Sequence, residues 1–150
     1  EADQPIRKQA VEMRLIVKQT QVTVLDPDRK VRVELSRNGK KLSTDFKPVE
    51  EDTGIASIKQ SFNQKMQESF DNESQKWLPD IAELSVVYGE DLVGSVSFDL
   101  TRYIDQGARN EKICMEGSQS IQSKKQLVLK GNSDEHPEAF LIYRIFVDSI

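Results

Sequence analysis

Apolar and polar residues alternate along several short stretches of this chain. The first stretch runs over residues 11–17 and the second over residues 31–35. A period of two is the spacing of a β-strand with one buried face. The second stretch ends in Asn38-Gly39, which predicts a tight hairpin because both residues accept a positive φ. Residues 40–47 are therefore expected to return antiparallel beside it.

Four more strands are predicted along the chain, with turn-forming residues between them. They lie at residues 84–88, 93–100, 126–130 and 140–147. Three of them show the alternating pattern, and one is a shorter apolar run. Residues 58–70 fit two structures, because their apolar positions recur every fourth residue, as in a helix, and also share the parity of a strand. In an all-β chain we favour a strand over at least its first two thirds. The pattern predicts an all-β fold, an eight-stranded antiparallel β-sandwich.

Composition indicates one soluble domain. The chain has 150 residues, of which 37% are hydrophobic and 31% charged, a length that suits one hydrophobic core. Because no Met or signal-like segment opens it, we expect a piece of a longer protein or a processed chain, with residues 1–9 as a flexible lead-in and residues 10–150 as the domain. The net charge of −4 argues against a nucleic-acid binder. The one cysteine, Cys114, excludes an internal disulfide and fits a cytoplasmic protein.

The residues that catalysis requires are scarce. His136 is the only histidine, and it lies in a polar, turn-like stretch. Cys114 stands between Ile113 and Met115, which indicates a small apolar residue packed in a strand. One cysteine and one histidine do not suggest a zinc site, and no glycine-rich phosphate loop is present. We therefore predict that the chain is not an enzyme and needs no cofactor.

One segment resembles a known family. Residues 92–105 read LVGSVSFDLTRYID, similar to the C2-domain strand of the form hydrophobic–Gly–x–hydrophobic–x–hydrophobic–x–Leu. Its end, DLTRY at 99–103, resembles the Asn/Asp-Leu-x-x-Tyr pattern of the N-terminal C2 domains of EH-domain-binding and plant organelle-movement proteins. The order of the other predicted strands extends the likeness to about residues 10–148. The resemblance implies a calcium-independent module that couples a membrane to a trafficking or cytoskeletal partner.

Calcium binding by C2 domains depends on aspartates from two loops, since this hard cation takes six to eight oxygen ligands. Asp26 and Asp28, around Pro27, match the first loop superficially. The second loop, residues 88–92, is short and lacks an Asp-x-Asp pair, although it holds Asp91. We interpret Asp26 and Asp28 as turn-forming residues and expect no metal, leaving Asp26, Asp28 and Asp91 as weak candidates.

Lysines on the predicted middle strands are candidates for contact with an anionic phospholipid surface. These are Lys40, Lys41, Lys47, Lys59 and Lys65. Each basic residue near such a surface contributes about 1 kcal/mol of attraction. A solvated sheet face, or protection of a sheet edge, is the alternative interpretation.

Trp77 is the candidate for partner binding, since it lies beside Leu78 and Pro79 in a connection. Packing at the end of the sandwich is the alternative for a lone tryptophan. Two functions therefore remain open. The chain is either a membrane-targeting module or a protein–protein scaffold that binds no lipid. A contiguous basic face favours the first, and mixed charge with an open strand edge favours the second.

Overall fold

The computed structural model describes residues 5–22, 26, 28–114, 126–128 and 140–150. They form strands and one short 3₁₀ helix at Leu100–Tyr103, and none of them belongs to a helix long and apolar enough to cross a membrane. The strands, in chain order, are β1 (Ile6–Gln21), β2 (Lys30–Arg37), β3 (Lys40–Ser43), β4 (Lys47–Pro48), β5 (Ile55–Asp71), β6 (Lys76–Trp77), β7 (Ile81–Tyr88), β8 (Asp91–Asp99), β9 (Arg109–Cys114), β10 (Gln126–Val128) and β11 (Phe140–Ser149). The predicted all-β fold is confirmed.

The strands form two sheets. Sheet A has the order β10-β9-β11-β1-β5-β6, and sheet B has the order β3-β2-β7-β8, with β4 paired to β2. Every strand pair is antiparallel except β9 and β10, which run parallel. Consecutive strands β1 and β2 lie in different sheets, so the chain passes from one sheet to the other between them and again between β4 and β5.

The core lies between the sheets and follows from the alternation of the strands. Val11, Met13, Leu15 and Val17 of β1 are fully buried, as are the odd-numbered residues 141–147 of β11. Sheet B contributes the even-numbered residues of β7 and the odd-numbered residues of β2 from Val31. Each such side chain stabilises the fold by about 1.5–3 kcal/mol relative to its exposed state.

A bulge in the middle of sheet A reverses the burial pattern of β1. The register of β1 shifts between Val17 and Gln19 against both of its neighbours. On β5 the extra residue falls at Lys59, which has a φ of 51°. Beyond the bulge the buried residue of β1 is Thr20, whose hydroxyl donates to the Phe140 carbonyl at 2.8 Å. The odd–even pattern read from the sequence therefore holds only up to Val17.

Several element predictions are confirmed. Asn38 and Gly39 have φ values of 51° and 78° and join β2 to the antiparallel β3. The ambiguous stretch is a strand, β5, over its whole length. The predicted return strand over residues 40–47 is instead two short strands, β3 and β4, because their register with β2 shifts by one residue between the pairs Glu34–Ser43 and Val31–Lys47.

Other details of the structure differ from the prediction. The described residues form eleven strands rather than eight, since β4, β6 and β9 are short or polar and show no alternation. The first strand begins at Ile6, which pairs with Asp71, so residues 6–9 belong to the sheet and not to a lead-in. Cys114 ends β9, as expected for a strand residue, while His136 lies outside the described residues.

The segment that carried the family resemblance has a structural role. The Asp99 carboxylate accepts hydrogen bonds from the Thr101 amide at 3.0 Å, the Thr101 hydroxyl at 2.8 Å and the Asp80 amide at 3.0 Å. It thereby caps the 3₁₀ helix. Leu100 is fully buried, and Tyr103 packs edge-on against Phe98 with ring centroids 6.1 Å apart. The motif turns the chain at the end of β8.

Candidate functional site

One end of the sandwich brings together the two loops that hold the weak metal candidates. The Arg29 guanidinium donates to the Asp91 carboxylate at 2.5 Å and lies 3.9 Å from the Asp26 carboxylate. Asp26 also accepts a hydrogen bond from the Asp28 amide at 3.0 Å, which confirms its role as a turn-forming residue. We call Asp26, Arg29 and Asp91 the exposed triplet, because about 40–50% of each side chain is exposed.

Arg29 places a positive charge where a calcium ion would meet these two carboxylates. The hydrogen bond and charge of Asp91 raise the pKa of Arg29 above its ordinary value, so it stays protonated. Gly89 leaves room for this side chain, since a Cβ there would lie 2.9 Å from Arg29 Cδ. Within the described ranges, no group of three or more His, Cys, Asp and Glu side chains could hold a metal ion.

On the outer face of sheet B, two basic residues share one carboxylate. Lys41 lies 3.5 Å and Arg32 2.9 Å from the two carboxylate oxygens of Glu34, whose side chain is only 9% exposed. Arg32 also lies over the Phe46 ring, 4.7 Å from its centroid. Because one buried carboxylate is shared between two cations, the field of this face towards a distant anion is reduced.

The predicted lysines are divided between the sheets. Lys40 and Lys41 belong to β3 and Lys47 to β4, so these three flank β2 of sheet B. Lys59 and Lys65 belong to β5 of sheet A, Lys59 at the bulge and Lys65 opposite Glu12 of β1. The five lysines therefore do not form a single sheet face. The odd–even pattern of a strand could not reveal this division, because it shows which residues share a face of the strand but not which sheet the strand joins.

Trp77 is part of a packed aromatic cluster. It pairs with Phe70 in the register of β6 and β5, and their rings meet edge-on at 5.1 Å. The guanidinium of Arg7 lies over both rings, 5.2 Å and 5.9 Å from their centroids. The tryptophan is half-buried and packs against the core, which gives it a structural role whether or not it also binds a partner.

The opposite end of the sandwich holds a second arginine with two carboxylates. Arg37 Nε donates to both carboxylate oxygens of Asp80, at 2.8 and 2.9 Å, and Arg37 Nη2 lies 2.7 Å from Asp80 Oδ2. Glu68 is 3% exposed, and its Oε2 has no hydrogen-bond partner among the described residues. All three line a cleft of about 500 Å³ with Leu78 and Ile81. We call Arg37, Asp80 and Glu68 the buried triplet.

The two acids of the buried triplet have pKa values shifted in opposite directions. Burial and the neighbouring Asp80 raise the pKa of Glu68 to about 8. Burial alone would also raise the pKa of Asp80, but hydrogen bonds from Arg37 and Glu68 and the guanidinium charge lower it below its ordinary value. Glu68 therefore keeps its proton at neutral pH, and the triplet is then electrically neutral because the charges of Arg37 and Asp80 cancel.

Sequence reasoning missed Arg29, Arg37 and Glu68. Arg29 was visible next to the Asp26 turn, but its contact with Asp91 links residues 62 positions apart. Glu68 lies on the inward parity of the predicted strand, and a carboxylate at such a position is a signal that could have been used. The partner, Asp80, follows Pro79 in a connection that showed no pattern.

Comparison with solved structures relates this fold to C2 domains. The C2A domain of plant extended synaptotagmin 1 aligns with a TM-score of 0.60 and 10% identity over 96% of this chain and 98% of its own. A structure described only as a C2 domain aligns with a TM-score of 0.54 and 14% identity over 93% of this chain and 99% of its own. Human GIVD cytosolic phospholipase A2 aligns with a TM-score of 0.61 and 16% identity over 95% of this chain.

The chain spans only 17% of the length of that phospholipase, but nearly all of the two C2 domains. No protein-family model and no curated protein sequence matches the chain. At these identities the likeness concerns architecture. The protein thus has the β-sandwich fold of a C2 domain.

Proposed function

We propose that this chain is a non-catalytic, calcium-independent C2-like module that holds a larger protein at an anionic membrane surface on the cytoplasmic side. Three features support the proposal. The fold is that of C2 domains. The DLTRY segment resembles a C2 subgroup that acts without calcium. Exposed basic residues occur on both sheets, so an electrostatic attraction to anionic lipid is available.

The observation that best supports calcium independence is the position of Arg29. Its guanidinium bridges Asp26 and Asp91, which come from the two loops that would otherwise share an ion. A cation that is part of the chain cannot be removed by a chelator. Calcium would have to displace this arginine and would then meet only two carboxylates, far from the six to eight oxygens it requires.

The attraction must be local, because the net charge is −4. Acidic residues are concentrated elsewhere, for example at residues 50–52 in the connection that leads to β5. Of the predicted lysines, Lys40, Lys47, Lys59 and Lys65 form no ion pair with the part of the chain that the structure describes. Lys41 is already paired, and the unpaired lysines are divided between the two sheets, so they cannot all meet one membrane plane.

The test is co-sedimentation of the purified chain with vesicles. Phosphatidylcholine vesicles with and without phosphatidylserine or phosphoinositide are compared, each in millimolar calcium and in chelator. We expect pelleting with the anionic vesicles only, equal in calcium and chelator, and weaker as salt is raised because the attraction is electrostatic.

Two outcomes would contradict the proposal. Pelleting that requires calcium would show that the exposed triplet can open to admit the ion. Absence of pelleting with every vesicle would favour a scaffold that binds proteins only.

A further inference from the structure

The outer face of sheet A carries a second set of basic residues, which sequence reasoning did not select. Because alternate residues of β1 and β11 are fully buried, the residues between them face outwards. Arg14 of β1, Arg144 of β11 and Lys112 of β9 are all exposed on this face. They follow one another across three neighbouring strands of the sheet.

These charges are free. None of the three forms an ion pair within the described ranges of the chain, in contrast to Lys41 and Arg32 on sheet B. The acids on this part of the face, Glu12 and Asp148, lie opposite each other at one end, beside Lys65. Among the described residues, the part of the face around Arg14, Arg144 and Lys112 is therefore positive.

Apolar side chains alternate with the basic ones. Arg14 pairs in register with Phe146, and Arg144 pairs with Ile16. Lys112 pairs with Ile142, and its ammonium lies 4.4 Å from the centroid of the Phe140 ring. All four apolar side chains are half-buried, so each presents part of its surface to solvent. Cross-strand neighbours of this kind lie about 5 Å apart, so the basic and apolar groups form one continuous surface.

We propose that the outer face of sheet A, built around Arg14, Arg144 and Lys112, is the surface that docks on an anionic phospholipid membrane. This inference rests on the proposed function and names the surface that performs it. Basic residues attract the anionic head groups, and the interleaved Ile16, Ile142 and Phe146 contact the boundary between head groups and acyl chains.

The shape of the face favours a membrane over a peptide. Its charges are spread over three adjacent strands of a sheet and are not gathered along a groove. The clefts near Arg37 and near Tyr103 are lined by other residues. A broad charged surface with partly exposed apolar side chains complements a plane of anionic head groups.

Two triple variants with the same change of net charge test the inference. The face variant is Arg14→Gln/Lys112→Gln/Arg144→Gln, and the hairpin variant is Lys40→Gln/Lys41→Gln/Lys47→Gln. Binding to phosphatidylserine-containing vesicles is measured in chelator, with thermal unfolding to confirm that both variants fold. At about 1 kcal/mol for each residue, the face variant should bind about a hundredfold more weakly than wild type. The hairpin variant should stay close to wild type.

The outcomes separate the inference from the proposed function. If the hairpin variant loses binding and the face variant keeps it, the function stands and the inference is overturned. If wild type binds no vesicle, both are overturned. Binding of wild type to polyglutamate but to no vesicle would assign the face to an acidic protein partner and would also overturn the inference. A variant with Ile16→Thr and Phe146→Thr adds a second measurement, since it should weaken binding while the salt dependence stays unchanged.

Discussion

The two ends of the sandwich repeat one arrangement in two environments. At each end one arginine forms an ion pair with an aspartate and has a second acidic side chain nearby, Arg29 in the exposed triplet and Arg37 in the buried triplet. In the first, the side chains are 39–53% exposed. In the second, Asp80 is 8% exposed and Glu68 3%. The chemical groups are alike, so the difference between the ends isolates the effect of solvent.

Water sets the strength and the protonation of each triplet. Around Arg29 it screens the charges, and exposed ion pairs of this kind contribute little to stability. Around Arg37 water is largely excluded, so two carboxylates cannot both remain charged at low cost and Glu68 keeps its proton. The exposed triplet therefore links two loops through an ion pair, whereas the buried triplet binds a proton.

The largest effect is expected from removing the buried carboxylate. Asp80→Ala leaves the partly buried Arg37 guanidinium without its acceptor and should lower the free energy of unfolding by about 2–4 kcal/mol. Urea denaturation near neutral pH measures it. The matched control is Asp91→Ala at the exposed end, which should change the unfolding midpoint far less. Equal losses at the two ends would refute the role given to burial.

The next effect concerns pH. The pKa of Glu68 is raised from 4.5 to about 8 in the folded state. The folded chain therefore holds a proton that the unfolded chain has lost, and stability should fall as pH rises between these two values. Glu68→Gln cannot ionise and should be about 1–3 kcal/mol more stable than wild type above pH 8, with little difference near pH 4.5.

Urea denaturation of both proteins across this pH range measures the difference. Asp80 stays ionised throughout, because its pKa is lowered below 3.8. Glu83→Gln is the matched control, since Glu83 is exposed on β7. Stability curves of wild type and Glu68→Gln that run parallel over the whole range would show that Glu68 is not protonated in the folded state.

The smallest effect is expected at the exposed end. Arg29→Gln removes the hydrogen bond to Asp91 and leaves two acids facing each other, so the thermal midpoint should fall slightly at low salt. The decrease should disappear in high salt, because these charges are screened by ions. Scanning calorimetry at two salt concentrations measures it. A large decrease that persists in high salt would mean that the exposed triplet is a structural element comparable to the buried one.

Much of the architecture is determined by the sequence. Alternation found the strands of the core, because a strand with one buried face must repeat every second residue. The Asn38-Gly39 pair located its hairpin, since both residues have the positive φ that such a turn requires. The sequence pattern did not reveal β4 and β6 as separate strands, because two residues are too few to show an alternation.

The site depended on contacts between distant parts of the chain. Arg29 meets Asp91 and Arg37 meets Asp80 over separations of 62 and 43 residues, and no local pattern encodes either pairing. The division of the lysines between two sheets, and the row of Arg14, Arg144 and Lys112, follow from strand order alone. A sequence by itself determines which residues of a strand face inwards, because burial of apolar side chains is a local pattern. Which charges then meet, and which remain free, was decided by the tertiary structure, because electrostatic interactions depend on distance and solvent exclusion rather than on separation along the chain.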